Sequence, residues 1–233
     1  MDSAVLDIEW TPHYTTLGDV LCVATSTGSL RFYTLNTDSG SLDFTSEKPI
    51  SDPEDLVLDL LWHPTRPEVI TVTLSHGSTC VCMGSGTEAP WADHSVTTVE
   101  MIADHSLEPW TLAFSPDNAL VFSGGDDAVL RCASLTLPTP DAEEDEHESS
   151  SVWSDRKIHQ AGVTAILPLT NELLVTGSYD DHIRLISAPA VGRKQVLAEL
   201  NLGGGVWRLK LLDRDVTAEP GRVFDRYVTL PRR

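Results

Sequence analysis

Apolar residues in this chain come in short runs of four to six, each closed by Gly, Pro, Asp or Ser. Five of these runs align: Val5-Leu-Asp-Ile-Glu-Trp10, Val57-Leu-Asp-Leu-Leu-Trp62, Pro109-Trp-Thr-Leu-Ala-Phe114, Gly162-Val-Thr-Ala-Ile-Leu167 and Gly205-Val-Trp-Arg-Leu-Lys210. Their starts lie 52, 52, 53 and 43 residues apart. The first three run into a proline turn, Thr11-Pro12, His63-Pro64 and Ser115-Pro116. In the first four units a second apolar run follows, at Val20–Ala24, Val69–Leu74, Ala119–Phe122 and Leu173–Val175. Past a tight polar turn comes a third, at Ser29–Tyr33, Ser78–Cys82, Val129–Cys132 and His182–Ile186. Runs of this length between turn residues predict antiparallel strands. Val96–Met101 and Gln195–Leu200 supply a fourth strand to two of the units.

A repeat near fifty residues with four strands per unit predicts the blades of a β-propeller. The fold class expected is therefore all-β, a WD-repeat β-propeller. About four blades are present (residues 1–52, 53–104, 105–157 and 158–202), followed by the first strand of a fifth (203–212). Ser123-Gly-Gly-Asp-Asp127-Ala-Val-Leu-Arg131 matches Thr176-Gly-Ser-Tyr-Asp180-Asp-His-Ile-Arg184 position by position. In WD repeats this Asp caps the turn, and a His at the start of the blade reaches it through a strand Ser or Thr. His105, Ser123 and Asp127 form one such expected set, and His159, Thr176 and Asp180 another. The Trp-Asp dipeptide itself is replaced by Ala133-Ser134 and Ile186-Ser187. With so few blades, the repeats are expected to form an open arc. Its end faces would expose apolar surface and favour aggregation.

Charge narrows the partners. The 233 residues carry a formal charge of −19, which argues against nucleic acid and favours a basic or cationic partner. Asp141 to Glu148 supplies six of the acids, and residues 136–151 read as a solvated low-complexity loop insert. No apolar stretch is long enough for a membrane span. The first residues lack the basic-then-apolar order of a secretory signal. Cys22, Cys80, Cys82 and Cys132 show no CxxC or zinc spacing. Free buried thiols in a reducing compartment, hence the cytoplasm, are expected. No metal or cofactor is expected.

Ser-Gly-Gly-Asp-Asp (123–127), Thr-Gly-Ser-Tyr-Asp-Asp-His (176–182) and Gly-Gly-Val-Trp-Arg-Leu-Lys (204–210) resemble the WD-repeat diphthine methylesterase family of diphthamide biosynthesis. So does the opening Val-Leu-Asp-Ile-Glu-Trp, with Gly28-Ser29-Leu30. The resemblance runs from about residue 4 to 211 and is weaker in 36–56, 83–100 and 134–158. It implies hydrolysis of the methyl ester of methylated diphthine on translation elongation factor 2. Methanol would leave, and the free carboxylate would be ready for amidation. It also implies blade sequence before and after the part present here.

The residues themselves leave two other readings open, a non-catalytic WD scaffold for a protein partner and an inactive truncated product. Ester cleavage needs a base and donors for the oxyanion. The nucleophile elbow G-x-S-x-G is absent, so an activated water is the expected attacker. His182 is the candidate base, with Asp181 beside it, although a turn histidine is also an ordinary solvated residue. Gly203–Gly205 offers backbone amides ahead of Trp207 and Arg208, or serves simply as a connector. The trimethylammonium of diphthine favours an aromatic, acidic pocket. Tyr179, Trp207, Trp110 and Glu108 offer that chemistry, with Arg208 as a further substrate-binding candidate. Residues 213–233 hold five Arg against four acids and no repeat turn. They are expected to stand outside the repeat, as from a truncated or mis-spliced reading frame.

Overall fold

The computed structural model describes residues 3–12, 17–85, 89–137, 150–214 and 225–231, with backbone alone from 212 onward. The first blade is β1 (Val5–Trp10), β2 (Val20–Thr25), β3 (Ser29–Asn36) and β4 (Ser41–Pro49). The second is β5 (Val57–Trp62), β6 (Val69–Leu74), β7 (Ser78–Gly84) and β8 (Thr97–Asp104). The third is β9 (Pro109–Phe114), β10 (Leu120–Gly125), β11 (Leu130–Ser134) and β12 (Ser150–Asp155). The fourth is β13 (Val163–Pro168), β14 (Leu173–Ser178), β15 (His182–Ser187) and β16 (Gln195–Asn201). Each is an antiparallel meander in chain order, and no helix occurs among the described residues. None is therefore long and apolar enough to cross a membrane. The chain is a β-propeller.

The inner strands lie where the apolar runs predict them. Two outer strands, β4 and β12, fall in stretches that read as inserts. β4 has the exposure pattern of a rim strand, with only Ser46 and Lys48 buried. Neither stretch carries an apolar run such as that of the equally exposed β16, so no strand signal marks them. By contrast β6, central in its sheet, is buried at every position. The 136–151 insert falls outside the described residues from 138 to 149. From Val206 onward, β17 (Val206–Arg214) pairs with β18 (Asp225–Pro231) in a two-stranded sheet, a pairing that the expected repeat outline does not contain.

The cores lie between the blades. One spans the first two sheets, with Phe32 stacked on Trp91 at 4.8 Å and edge-on to Trp62. Others join the second to the third and the third to the fourth. Consequently a blade with a neighbour on one side only shows apolar surface. Val57, Leu60 and Trp62 are 0%, 1% and 3% exposed, whereas their counterparts Val5, Ile8 and Trp10 are 61%, 52% and 43% exposed. Among the described residues β1 pairs with β2 alone, so no strand pairing ties the two ends of the arc.

The inner strands are stapled by carboxylates one repeat apart. Asp7 accepts the Leu60 amide at 3.2 Å, and Asp59 accepts the Leu112 amide at 2.8 Å. The two acids also meet each other. Desolvation, then the charge of Asp7 and a hydrogen bond to it, push the Asp59 carboxyl well above its usual range. In this arrangement the protonated form of Asp59 is favoured, with its proton toward Asp7. Stability is then lost as pH rises from the ordinary carboxylate range through the raised value, because the unfolded chain releases that proton more readily. Asp59→Asn keeps a donor toward Asp7 and removes the titration. Its melting midpoint is expected to exceed the parent's by about 2–4 °C at alkaline pH and to match it in acid. An equal shift at both pH values would refute the shared proton.

Candidate functional site

The turn between the second and third strands of each blade places the polar residues on one face. Its third residue adopts a left-handed backbone in every blade: Gly28, Gly77, Ala128 and Asp181 have φ of 62°, 114°, 58° and 67°. Asp is tolerated there because its short polar side chain fits the left-handed region better than most. Asp181 is therefore the turn-forming residue of the fourth blade. Its carbonyl accepts the Leu202 amide at 2.8 Å.

In the third blade the expected set forms. His105 Nε2 meets Ser123 Oγ at 2.8 Å, and Nδ1 meets Asp127 Oδ1 at 3.0 Å. Asp127 also accepts the amides of Ser106 and Val129 at 3.1 Å. Burial would raise its carboxyl, but His105 and these amides outweigh that and hold it low. Burial lowers the His105 pKa despite Asp127.

The fourth blade corrects the matching expectation. Arg184, 3% exposed, inserts its guanidinium beside His159 and donates to both oxygens of Asp180 at 2.9 and 2.8 Å. His159 stands 4.0 Å from Asp180, and neither its Nε2 nor Thr176 Oγ1 has a hydrogen-bond partner. Glu199 on β16 holds Arg184 Nε at 3.4 Å, whereas Arg131 in the third blade faces Ser154. The two arginines thus differ in their rim partners as well as in their turn contacts. Burial and Arg184 push His159 down to about 4, so it is neutral near pH 7. The second blade reverses the pair: His76 on the turn meets Asp55 of the entry loop at 3.1 Å. No repeat template exposes that swap in the sequence.

His182 follows the turn. Its Nδ1–H donates to the Asp180 carbonyl at 2.6 Å, which leaves Nε2 as the acceptor facing Asn201 Nδ2 at 3.4 Å. Asp180, not the adjacent Asp181, orients the imidazole. A backbone carbonyl on Nδ1 fixes the tautomer that a base acting through Nε2 requires.

The aromatic candidates do come together. Trp207 lies 6.0 Å from Trp110 and 5.7 Å from Tyr179, centroid to centroid. Glycine makes the approach possible. A Cβ on Gly205 would stand 2.9 Å from the Tyr179 ring, and one on Gly162 would stand 2.6 Å from Asp126 Oδ1. Gly203, at φ 69°, has its amide taken by Asn201 Oδ1 at 2.8 Å, so it offers no donor for an oxyanion. Trp110 and Trp207 also line a cavity of 380 Å³ between the inner strands, with Glu9, Asp59 and Arg208. Arg208 reaches across it to Asp7 at 3.5 Å. Burial raises the Glu9 pKa, reinforced by Asp7 and opposed by Arg208 and Lys210. Glu108 enters through its backbone, its carbonyl accepting the Asp126 amide. Asp7, Glu9 and Asp59 carry no motif; alignment across repeats marks Asp7 and Asp59 alone, since Glu9 stands opposite Leu61. Among the described residues no group of His, Cys, Asp and Glu could hold a metal.

A model of the WD domain, G-beta repeat, matches residues 94–132. Diphthine methyltransferase of Schizosaccharomyces pombe is 32% identical over 90% of this chain and 57% of its own length. The Mus musculus protein of that name is 30% identical over 89% and 42%, and a Dictyostelium discoideum homolog 28% over 90% and 55%. The chain belongs to the WD-repeat diphthine methyltransferase family. It spans about half the length of the curated relatives it matches. Among solved structures, Chaetomium thermophilum polycomb repressive complex 2 bound to GSK126 aligns with a TM-score of 0.68 at 16% identity, over 95% of this chain and 54% of that one. An active polycomb repressive complex 2 in the basal state gives 0.69 at 17%, over 95% and 52%. At such identities the likeness concerns the propeller fold alone.

Proposed function

We propose that this chain serves diphthamide biosynthesis as a carboxylic-ester hydrolase, removing the methyl ester of methylated diphthine on translation elongation factor 2. The observation that carries this reading is the Tyr179–Trp207–Trp110 group at an acid-lined cavity. Aromatic faces attract a trimethylammonium cation, and burial strengthens the attraction. His182 Nε2 takes a proton from water as the water oxygen adds to the ester carbonyl carbon. Collapse of the tetrahedral intermediate breaks the bond to the methoxy oxygen, which regains the proton and leaves as methanol. The relatives are named for methyl transfer; the Nδ1–H bond of His182 to the Asp180 carbonyl, which leaves Nε2 as a proton acceptor, supports hydrolysis by an activated water. Four free buried cysteines agree with action in the cytoplasm. The test incubates the purified chain with elongation factor 2 bearing methylated diphthine and follows the modified peptide by mass spectrometry. The expected result is loss of one CH₂ with release of methanol. An unchanged mass with the full-length protein as well would overturn the hydrolase reading.

A further inference from the structure

The rim between the third and fourth blades departs from the acidity of the rest of the chain. Among the described residues the outer strands β12 and β16 are free edges of their sheets, and they wall a groove of about 1230 Å³. Lys157 enters it from one wall, Arg193 and Lys194 from the other, each belonging to an Arg-Lys dipeptide (156–157 and 193–194). Lys194 Nζ sits 4.8 Å above the Trp153 ring, and Trp153 Nε1 is buried without a hydrogen-bond partner. Asp155 and Glu199 also line the groove, but Glu199 is engaged by Arg184, and Asp155 accepts the amides of Lys157 and Ile158 at 2.7 and 3.1 Å. Every residue of β16 is exposed, including Val196, Leu197 and Leu200 at 41%, 54% and 59%.

We propose that this groove binds an extended acidic peptide, which adds as a strand to a free edge and sets its carboxylates against Lys157, Arg193 and Lys194. An unpaired edge offers a row of backbone donors and acceptors that a strand satisfies and a nucleic acid does not. Alternating side chains let such a peptide send carboxylates toward the cations and apolar groups along Val196 and Leu197. The chain's overall charge of −19 repels a polyanion at long range, which disfavours nucleic acid over a short peptide of few charges. The site lies on the rim, apart from the aromatic group, and stands whether or not the hydrolase reading holds.

The probe is a fluorescein-labelled peptide alternating glutamate and valine, titrated with the full chain at low salt and followed by anisotropy. Saturable binding is expected, with a change in tryptophan emission that Trp153→Phe removes. The double variant Lys157→Glu, Lys194→Glu should weaken binding by about tenfold or more, whereas Lys210→Glu, on another blade, should leave it unchanged. Circular dichroism confirms that the variants keep the parent fold, and Lys157→Arg, Lys194→Arg should retain binding. Methylating alternate backbone nitrogens of the peptide should also weaken it about tenfold, because the strand hydrogen bonds are lost. No saturable binding, equal loss in Lys210→Glu, or undiminished binding of the methylated peptide would overturn the proposal. So would equally tight binding of a single-stranded oligonucleotide.

Discussion

Asp180→Ala is expected to destabilise the chain by about 3–5 kcal/mol, a large share of a total that for ordinary domains is about 5–15 kcal/mol. The reason is Arg184. Its guanidinium is almost wholly buried and donates to both Asp180 oxygens. Removing the carboxylate leaves the buried guanidinium with Glu199 alone at 3.4 Å, beside a neutral imidazole, and frees the amides of Gln160 and His182. The topologically equivalent Asp127→Ala should cost less, about 1–3 kcal/mol, because it orphans only His105 and two amides. Urea unfolding at neutral pH compares the two, and equal costs would show that Arg184 does not depend on Asp180. Acid gives a second check. Burial acts to raise the Asp180 carboxyl, but Arg184 and the amides outweigh it and hold the value below the usual range. Its contribution is therefore complete above the ordinary carboxylate range and is lost as pH falls through the depressed value. The gap between parent and Asp180→Ala should close on acidification.

The second large effect separates binding from chemistry. On methylated diphthine, Trp207→Ala should raise KM by about tenfold or more, since it removes the ring shared by Trp110 and Tyr179. Trp207→Phe keeps an aromatic face and should recover most of that loss. His182→Ala should instead lower kcat by about 10²–10⁴ with KM little changed, the range for a lost general base. His159→Gln, deep in the fourth blade, should alter stability more than either constant. If His182→Ala leaves kcat at the parental level, the base lies elsewhere. Glu9, in the cavity that Trp207 lines, would then be the next group to change.

The inner and central strands of the blades were legible in the sequence because their short apolar runs answer to burial between sheets. β4 and β12 were not, since their sequences lack the apolar run that marks even the exposed β16. The aromatic candidates proved to be neighbours, yet their spacing along the chain, from 110 through 179 to 207, does not specify a contact. Glycines at 162 and 205 and the packing of one blade on the next bring them within reach.

What the sequence by itself determined is the repeat: where strands begin, where turns fall, and which Asp and His stand at matching positions. Such features are local, governed by side-chain alternation and turn chemistry within a few residues. Only the tertiary structure decided how matching residues pair. The same His, Asp and Arg positions give a His105–Asp127 bond in one blade and an Arg184–Asp180 bond in the next. The two blades differ across the sheet as well, with Glu199 on Arg184 and Ser154 opposite the equivalent arginine. Likewise Asp7 and Asp59 read as two polar residues on apolar strands until adjacent blades bring them into one desolvated space, where they cannot readily both ionise. Charge and hydrogen-bond energies depend on distances between segments some fifty residues apart, and the packing of blade on blade fixes those distances.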